Sequence, residues 1–78
     1  MYIATFHTHF GATGFTRILS KLGHSGTMMP VPRVLSASCG VCVKFDSTDG
    51  VNYDICTDLD SVYIQEEGGK YRLIYSAE

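Results

Sequence analysis

Hydrophobic positions along the chain change their spacing from segment to segment, and each spacing predicts an element. Tyr2, Ile3, Ala4, Thr5, Phe6 and His7 are aromatic and β-branched enough for a first strand. From residue 10 the period lengthens. Phe15, Ile18, Leu19 and Leu22 stand at i, i+3, i+4 and i+7, one face of a helix over 10–22. Thr8 can cap it, because its hydroxyl accepts an orphan N–H of the first turn. Lys21 suits the negative end of the helix dipole, and Gly23 ends the helix. Residues 27–31 form a second strand, placed at a sheet edge because Pro30 and Pro32 flank Val31. Val41, Cys42, Val43, Lys44 and Phe45 form a third strand, and residues 46–50 a turn. The next segment reads two ways. Val51, Tyr53 and Ile55 alternate as a strand would, whereas Ile55, Leu59 and Val62 make a helical stripe. The stripe favours a second helix over 52–67. Gly68-Gly69 is then a turn, and residues 71–75 the last strand.

The order is β-α-β-β-α-β. Its natural closure is a ferredoxin-like α+β sandwich, a four-stranded antiparallel sheet with two helices on one face. In that topology the third strand lies between the first and second. Its beginning then meets the end of the first strand and the start of the first helix.

The chain has 78 residues, which predicts one small domain over 1–78. A domain this short buries only about 60% of the surface its unfolded chain exposes, so a homodimer or tight partner would help it. Six Lys/Arg against eight Asp/Glu leave no basic excess, which argues against nucleic-acid binding. The N-terminus shows neither a basic start nor a long apolar run, so neither a signal peptide nor a membrane span is expected. Three cysteines are an odd number, poorly suited to a secreted disulfide framework. The expected compartment is the cytoplasm, where thiols stay reduced.

The candidate chemistry gathers between Pro30 and Gly40, which hold both prolines, Arg33, Ser36, Ser38 and Cys39. A thiol where an irregular loop meets a strand is a candidate nucleophile. Helix N-termini and nearby cations lower a thiol pKa, and Arg33, the first helix and His7 or His9 could all favour the thiolate. Ser36 and Ser38 could donate hydrogen bonds to it, and Gly40 leaves the approach to the sulfur open. Against this stands the structural reading, since free cysteine is among the most often buried residues. Cys39 and Cys42 form a CxxC, but in a strand residues three apart stand roughly 10 Å apart on opposite faces. A disulfide needs Cα atoms within about 7 Å. No second spaced pair completes a zinc site, and no cofactor motif is present. Cys42 and Cys56 read as packing residues, and Glu66, Glu67, Asp58 and Asp60 as solvated faces.

Residues 2–7, the helix after them and the stretch from Pro30 to Gly40 resemble a family of small bacterial proteins described as selenium/sulfur carrier protein-like. The resemblance runs through the whole chain in length and order and is most specific from Pro30 to Gly40. It implies a carrier whose Cys39 bears a persulfide or perselenide. A cysteine desulfurase or selenocysteine lyase would load it, and an acceptor protein would unload it. Arg33, Ser36, Ser38 and Gly40 match the motif and would shape the site. Such a protein is a carrier rather than a turnover enzyme. The competing reading is a non-catalytic regulatory or ligand-binding module with a structural Cys39. A thiol-disulfide enzyme using Cys39 and Cys42 is disfavoured by the strand geometry.

Overall fold

Thr8 opens the helix as its sequence predicts. Its backbone is extended, and its hydroxyl oxygen accepts from the Gly11 N–H at 3.1 Å. The structure, a computed structural model, describes residues 1–35 and 40–77. Over these the chain forms β1 (Tyr2–Phe6), α1 (His9–Lys21), β2 (Gly26–Met29), β3 (Val41–Phe45), β4 (Leu59–Glu66) and β5 (Lys70–Ser76). Single 3₁₀ turns lie at Tyr53–Ile55 and Glu67–Gly69. Gly23, at φ +81°, closes α1, with the N–H groups of Gly23 and His24 donating to the carbonyls of Ser20 and Leu19. That pairing satisfies carbonyls the helix end would otherwise leave orphaned.

The strands form one antiparallel sheet in the order β2-β3-β1-β4-β5. β3 lies between β1 and β2, antiparallel to both. The ferredoxin-like sandwich with four strands and two helices is not what the chain forms. There is one α-helix among the described residues, and the sheet has five strands. The second half of the segment expected as a helix over 52–67 is β4, preceded by a 3₁₀ turn.

A bulge explains the misreading. Thr5 pairs with Ser61 but Phe6 pairs with Leu59, so Asp60 is an extra residue in β4. In a regular strand Leu59 and Val62, three apart, would face opposite ways. The bulge returns both to the face that carries α1, where both are buried. It thereby imitates the i, i+3 spacing of a helix. Ile55, the third member of the stripe, is 65% exposed.

The core lies between α1 and this face. Ala12, Phe15 and Leu19 pack on Ala4, Phe6, Val41, Val43, Phe45, Leu59 and Val62. Phe15 is central, with ring centroids 5.3 Å from Phe6 and 5.1 Å from Phe45, the latter edge-on. Each such ring removed from water contributes roughly 1.5–3 kcal/mol. Where a second helix would have packed, the connection after β3 lies instead. Its Val51, Tyr53 and Cys56 pack against the core, and the Tyr53 ring lies tilted against Tyr75 with centroids 4.9 Å apart.

The opposite face has no helix, yet Ile3, Thr5 and Cys42 on it are fully buried. The stretch after β2 contributes cover. The Cys42 thiol donates to the Pro30 carbonyl at 3.6 Å. Further on, Val34 and Leu35 line a hollow of about 330 Å³ with Gly69, Lys70 and Tyr71 at the start of β5. β2 and β5 are opposite edges of the sheet, and the end of β2 and the start of β5 lie at opposite ends of the strands. The chain therefore crosses this face between Pro30 and Leu35.

Candidate functional site

β1 ends, α1 begins, and β3 and β4 begin, all at one end of the sheet. The pairing of Phe6 with both Val41 and Leu59 requires this. Residues 7–9, Gly40 and Asp58–Asp60 consequently meet there. Gly40 leads into Val41 and His7 follows Phe6, so the two residues flank the last rung of the β1–β3 ladder. A hollow of about 350 Å³ opens at this end, lined by His9, Met28, Met29, Pro30, Gly40 and Val41. Its wall is largely apolar. His9 brings the one titratable side chain among these residues, and it sits in the first turn of α1.

The predicted site residues fare differently. His7 lies at this end, half-exposed, with Nε2 3.3 Å from Asp60 Oδ1. Gly40 lines the hollow. An added Cβ there would meet no described atom within 4 Å, so glycine leaves space open but is not demanded by a neighbour. Arg33 stands exposed in the turn 33–35, and no hydrogen bond or ion pair joins it to a described residue. Its neighbours Val34 and Leu35 line the hollow at the start of β5, away from the helix N-terminus. Ser36, Ser38 and Cys39 lie outside the described residues.

Two carboxylates read from sequence as solvated do bind this end together. Asp58 accepts from the Thr8 hydroxyl at 2.7 Å through Oδ2, and its carbonyl accepts from the His7 N–H at 2.9 Å. Its φ of +59° belongs to the left-handed region, which aspartate tolerates better than most side chains. Asp60, the bulged residue, holds His7 through Oδ1. Its Oδ2 accepts from the Ser61 hydroxyl at 3.1 Å, while the Thr5 hydroxyl lies 3.5 Å from it and 3.3 Å from the Ser61 carbonyl. The only sequence signal for them is the pair of aspartates flanking an apolar Leu59, with polar Thr5 and His7 alternating near the end of β1.

The two described thiols are poor nucleophiles. Burial pushes Cys42 up from about 9 to about 11. Cys56 is half-buried, donates to the Asn52 carbonyl at 3.5 Å, and is also raised by burial. Tyr53 is pushed up to about 12, first by burial and then by the neighbouring Tyr2 and Cys56. Its hydroxyl is buried with no hydrogen-bond partner among the described residues. All three groups hold their proton more tightly when folded. Above the ordinary thiol pKa the unfolded chain has released protons that the folded chain keeps, so stability falls as pH rises. The melting temperature should therefore decline between about pH 9 and pH 11. Cys42→Val should flatten part of that decline in a thermal scan series; an unchanged slope would show that Cys42 does not contribute.

No helix among the described residues is long and apolar enough to cross a membrane. Compared with known proteins, residues 1–55 match the family described as "Putative Se/S carrier protein-like". The match takes in β1, α1, β2, β3 and the first 3₁₀ turn, and stops before β4 and β5. No curated protein and no solved structure matches the chain.

Proposed function

We propose a function from one premise: the chain belongs to the Se/S carrier protein-like family. The proposed function is to carry a sulfur or selenium atom on Cys39 as a persulfide or perselenide. One observation supports this thiol over the others. Burial raises the pKa of both Cys42 and Cys56 and so lowers the share of each that is thiolate at neutral pH. Cys39 directly precedes Gly40, which lines the hollow beside the first turn of α1. The positive end of a helix favours a developing thiolate.

Loading is an exchange without net oxidation. The Cys39 thiolate attacks the terminal sulfur of a donor persulfide. The donor's S–S bond breaks, a new S–S bond forms on Cys39, and the donor cysteine leaves as a thiolate. A perselenide transfers in the same way through its terminal selenium. The donor is a cysteine desulfurase or a selenocysteine lyase, the acceptor is another protein, and the site of action is the cytoplasm. Intact mass after incubation with a cysteine desulfurase and cysteine tests the proposal. A gain of one sulfur atom supports it. No gain, with Cys39 alkylated as slowly as a buried thiol, overturns it.

A second reading is a non-catalytic ligand-binding module with a structural Cys39. The apolar wall of the hollow beside α1, from Met28, Met29, Pro30 and Val41, favours it. A rise in melting temperature with a small apolar metabolite, without sulfur loading, would support this second reading.

A further inference from the structure

α1 has a second apolar side that the core does not use. Ala12, Phe15 and Leu19 pack inward, whereas Phe10, Gly14 and Ile18 follow one another at i+4 spacing on the flank toward the connection after β3. That connection meets the helix at both ends. A Cβ added at Gly11 would run into Thr57 and Asp58, and one added at Gly50 would stand 3.2 Å from Leu22 Cδ2. Between these contacts a Cβ at Gly14 would meet nothing within 4 Å, so the flank is open there. Phe10 is 78% exposed and Ile55 in the connection 65%; Leu22 is exposed and Ile18 half-buried. Together they leave an apolar strip beside the helix rather than a single stray residue.

The strip is framed by charges of both signs that the chain does not pair. Arg17 is exposed, and no ion pair or hydrogen bond joins its side chain to a described residue. Asp58, against Gly11, gives Oδ2 to the Thr8 hydroxyl, and no described residue donates to its Oδ1. Gly11 and Arg17 stand three residues to either side of Gly14. We propose that this strip is the interface of a two-fold homodimer. A two-fold axis needs a surface complementary to itself. With the axis over Gly14, Phe10 of each copy packs against Ile18 of the other. The same operation carries Arg17 of each copy to the Gly11 end of the other, beside the open Oδ1 of Asp58. Interdigitated i+4 rows are the commonest helix packing, with axes about 8–10 Å apart, which leaves room at Gly14. The sheet edges lack such a match. β2 is short and followed by Pro30, and β5 carries Lys70, Arg72 and a bulge at Ile74, all of which discourage edge pairing.

Sedimentation equilibrium of the full chain over a concentration series tests the proposal. The wild-type chain should pass from monomer to dimer mass. Phe10→Lys should weaken the dimer about a hundredfold or more, since the axis removes two packed rings at once. Ile18→Glu should weaken it as well. An equal mixture of these two variants should associate again, because the mixed dimer keeps one Phe10–Ile18 contact and sets opposite charges at the other. Only contact between positions 10 and 18 across the axis gives that rescue. Phe10 is exposed in the single chain, so Phe10→Lys should fold. Where Ile18→Glu does not fold, Arg17→Glu takes its place. It sets two carboxylates together at Asp58, and the dimer should then weaken most at low salt. A chain that stays monomeric throughout, a dimer indifferent to Phe10→Lys, or a folded pair of variants that does not reassociate overturns the proposal.

Discussion

Cys39→Ser abolishes sulfur loading, whereas Cys42→Ser and Cys56→Ser load like the wild-type chain; this is the expected result of intact-mass measurements on the three single variants. Serine keeps the size of cysteine and removes the soft nucleophile, so each substitution asks only whether that sulfur carries the load. The contrast follows from the fraction of each thiol that is ionised. With its pKa raised from about 9 to about 11, Cys42 has at neutral pH roughly a 100-fold smaller thiolate fraction than an exposed cysteine. It is also fully buried, so a donor protein reaches it only when the sheet opens. Cys42→Ser keeps a donor toward the Pro30 carbonyl, so it should fold. Cys56 is shifted in the same direction and is tied to the Asn52 carbonyl. A time course of alkylation on the native wild-type chain, read by peptide mapping, should follow the same order. Equal loading of all three variants would sink the assignment of Cys39.

Four of the five strands and the helix were legible in the sequence because their signals are local. Thr8 announces the start of α1, Gly23 its end, and Phe15 and Leu19 its buried stripe. Val41, Val43 and Phe45 alternate onto the core face with Cys42 and Lys44 between them. β4 was not legible, since its bulge exists only through pairing with β1, a partner more than fifty residues away. Without that partner, Leu59 and Val62 are two apolar residues three apart, and a helix explains them equally well. The cover over the opposite face was hidden for a similar reason. Cys42 reads as a packing residue, but what it packs under shows only in the chain crossing from Pro30 to Leu35, which covers the face it shares with Ile3.

The site divides along the same line. The order of strands and helix already placed His7, His9 and the start of β3 at one end, and the pairing of Phe6 with Val41 agrees. Arg33 was grouped with them because it lies six residues before Cys39. The turn 33–35 carries its neighbours toward the start of β5 instead. Asp58 and Asp60 escaped notice because exposed aspartates are common and nothing nearby in sequence marks these as partners of Thr8 and His7.

The two glycines of α1 should respond to alanine in opposite ways, and the difference measures how tightly the helix start is locked to the chain entering β4. Alanine is the better helix former by up to ~1 kcal/mol, so on propensity alone both substitutions stabilise. At Gly14 a Cβ meets nothing within 4 Å, and propensity decides. Gly14→Ala should raise the melting temperature by a few degrees, since ~1 kcal/mol moves a domain of this size by roughly 4–8 °C. At Gly11 a Cβ would stand 2.3 Å from the Thr57 carbonyl oxygen, 3.0 Å from Asp58 Cβ and 3.2 Å from Phe6 Cδ2. The nearest of these is backbone and cannot rotate aside, so residues 57–58 must move away from the helix. Overpacking of this kind costs typically ~1–3 kcal/mol, and a backbone clash belongs at the upper end. Gly11→Ala should therefore lose a net ~2 kcal/mol, about 10 °C in melting temperature. The displaced segment also carries Asp58 and leads into Asp60, so the Thr8 and His7 contacts should loosen with it. The nitrogen chemical shifts of the His7 ring in Gly11→Ala should then move toward those of a freely exchanging imidazole. Thermal melts of the two variants read the first effect and nitrogen shifts the second. A Gly11→Ala chain as stable as Gly14→Ala would mean that the close approach of residue 57 to the helix does not hold the site together.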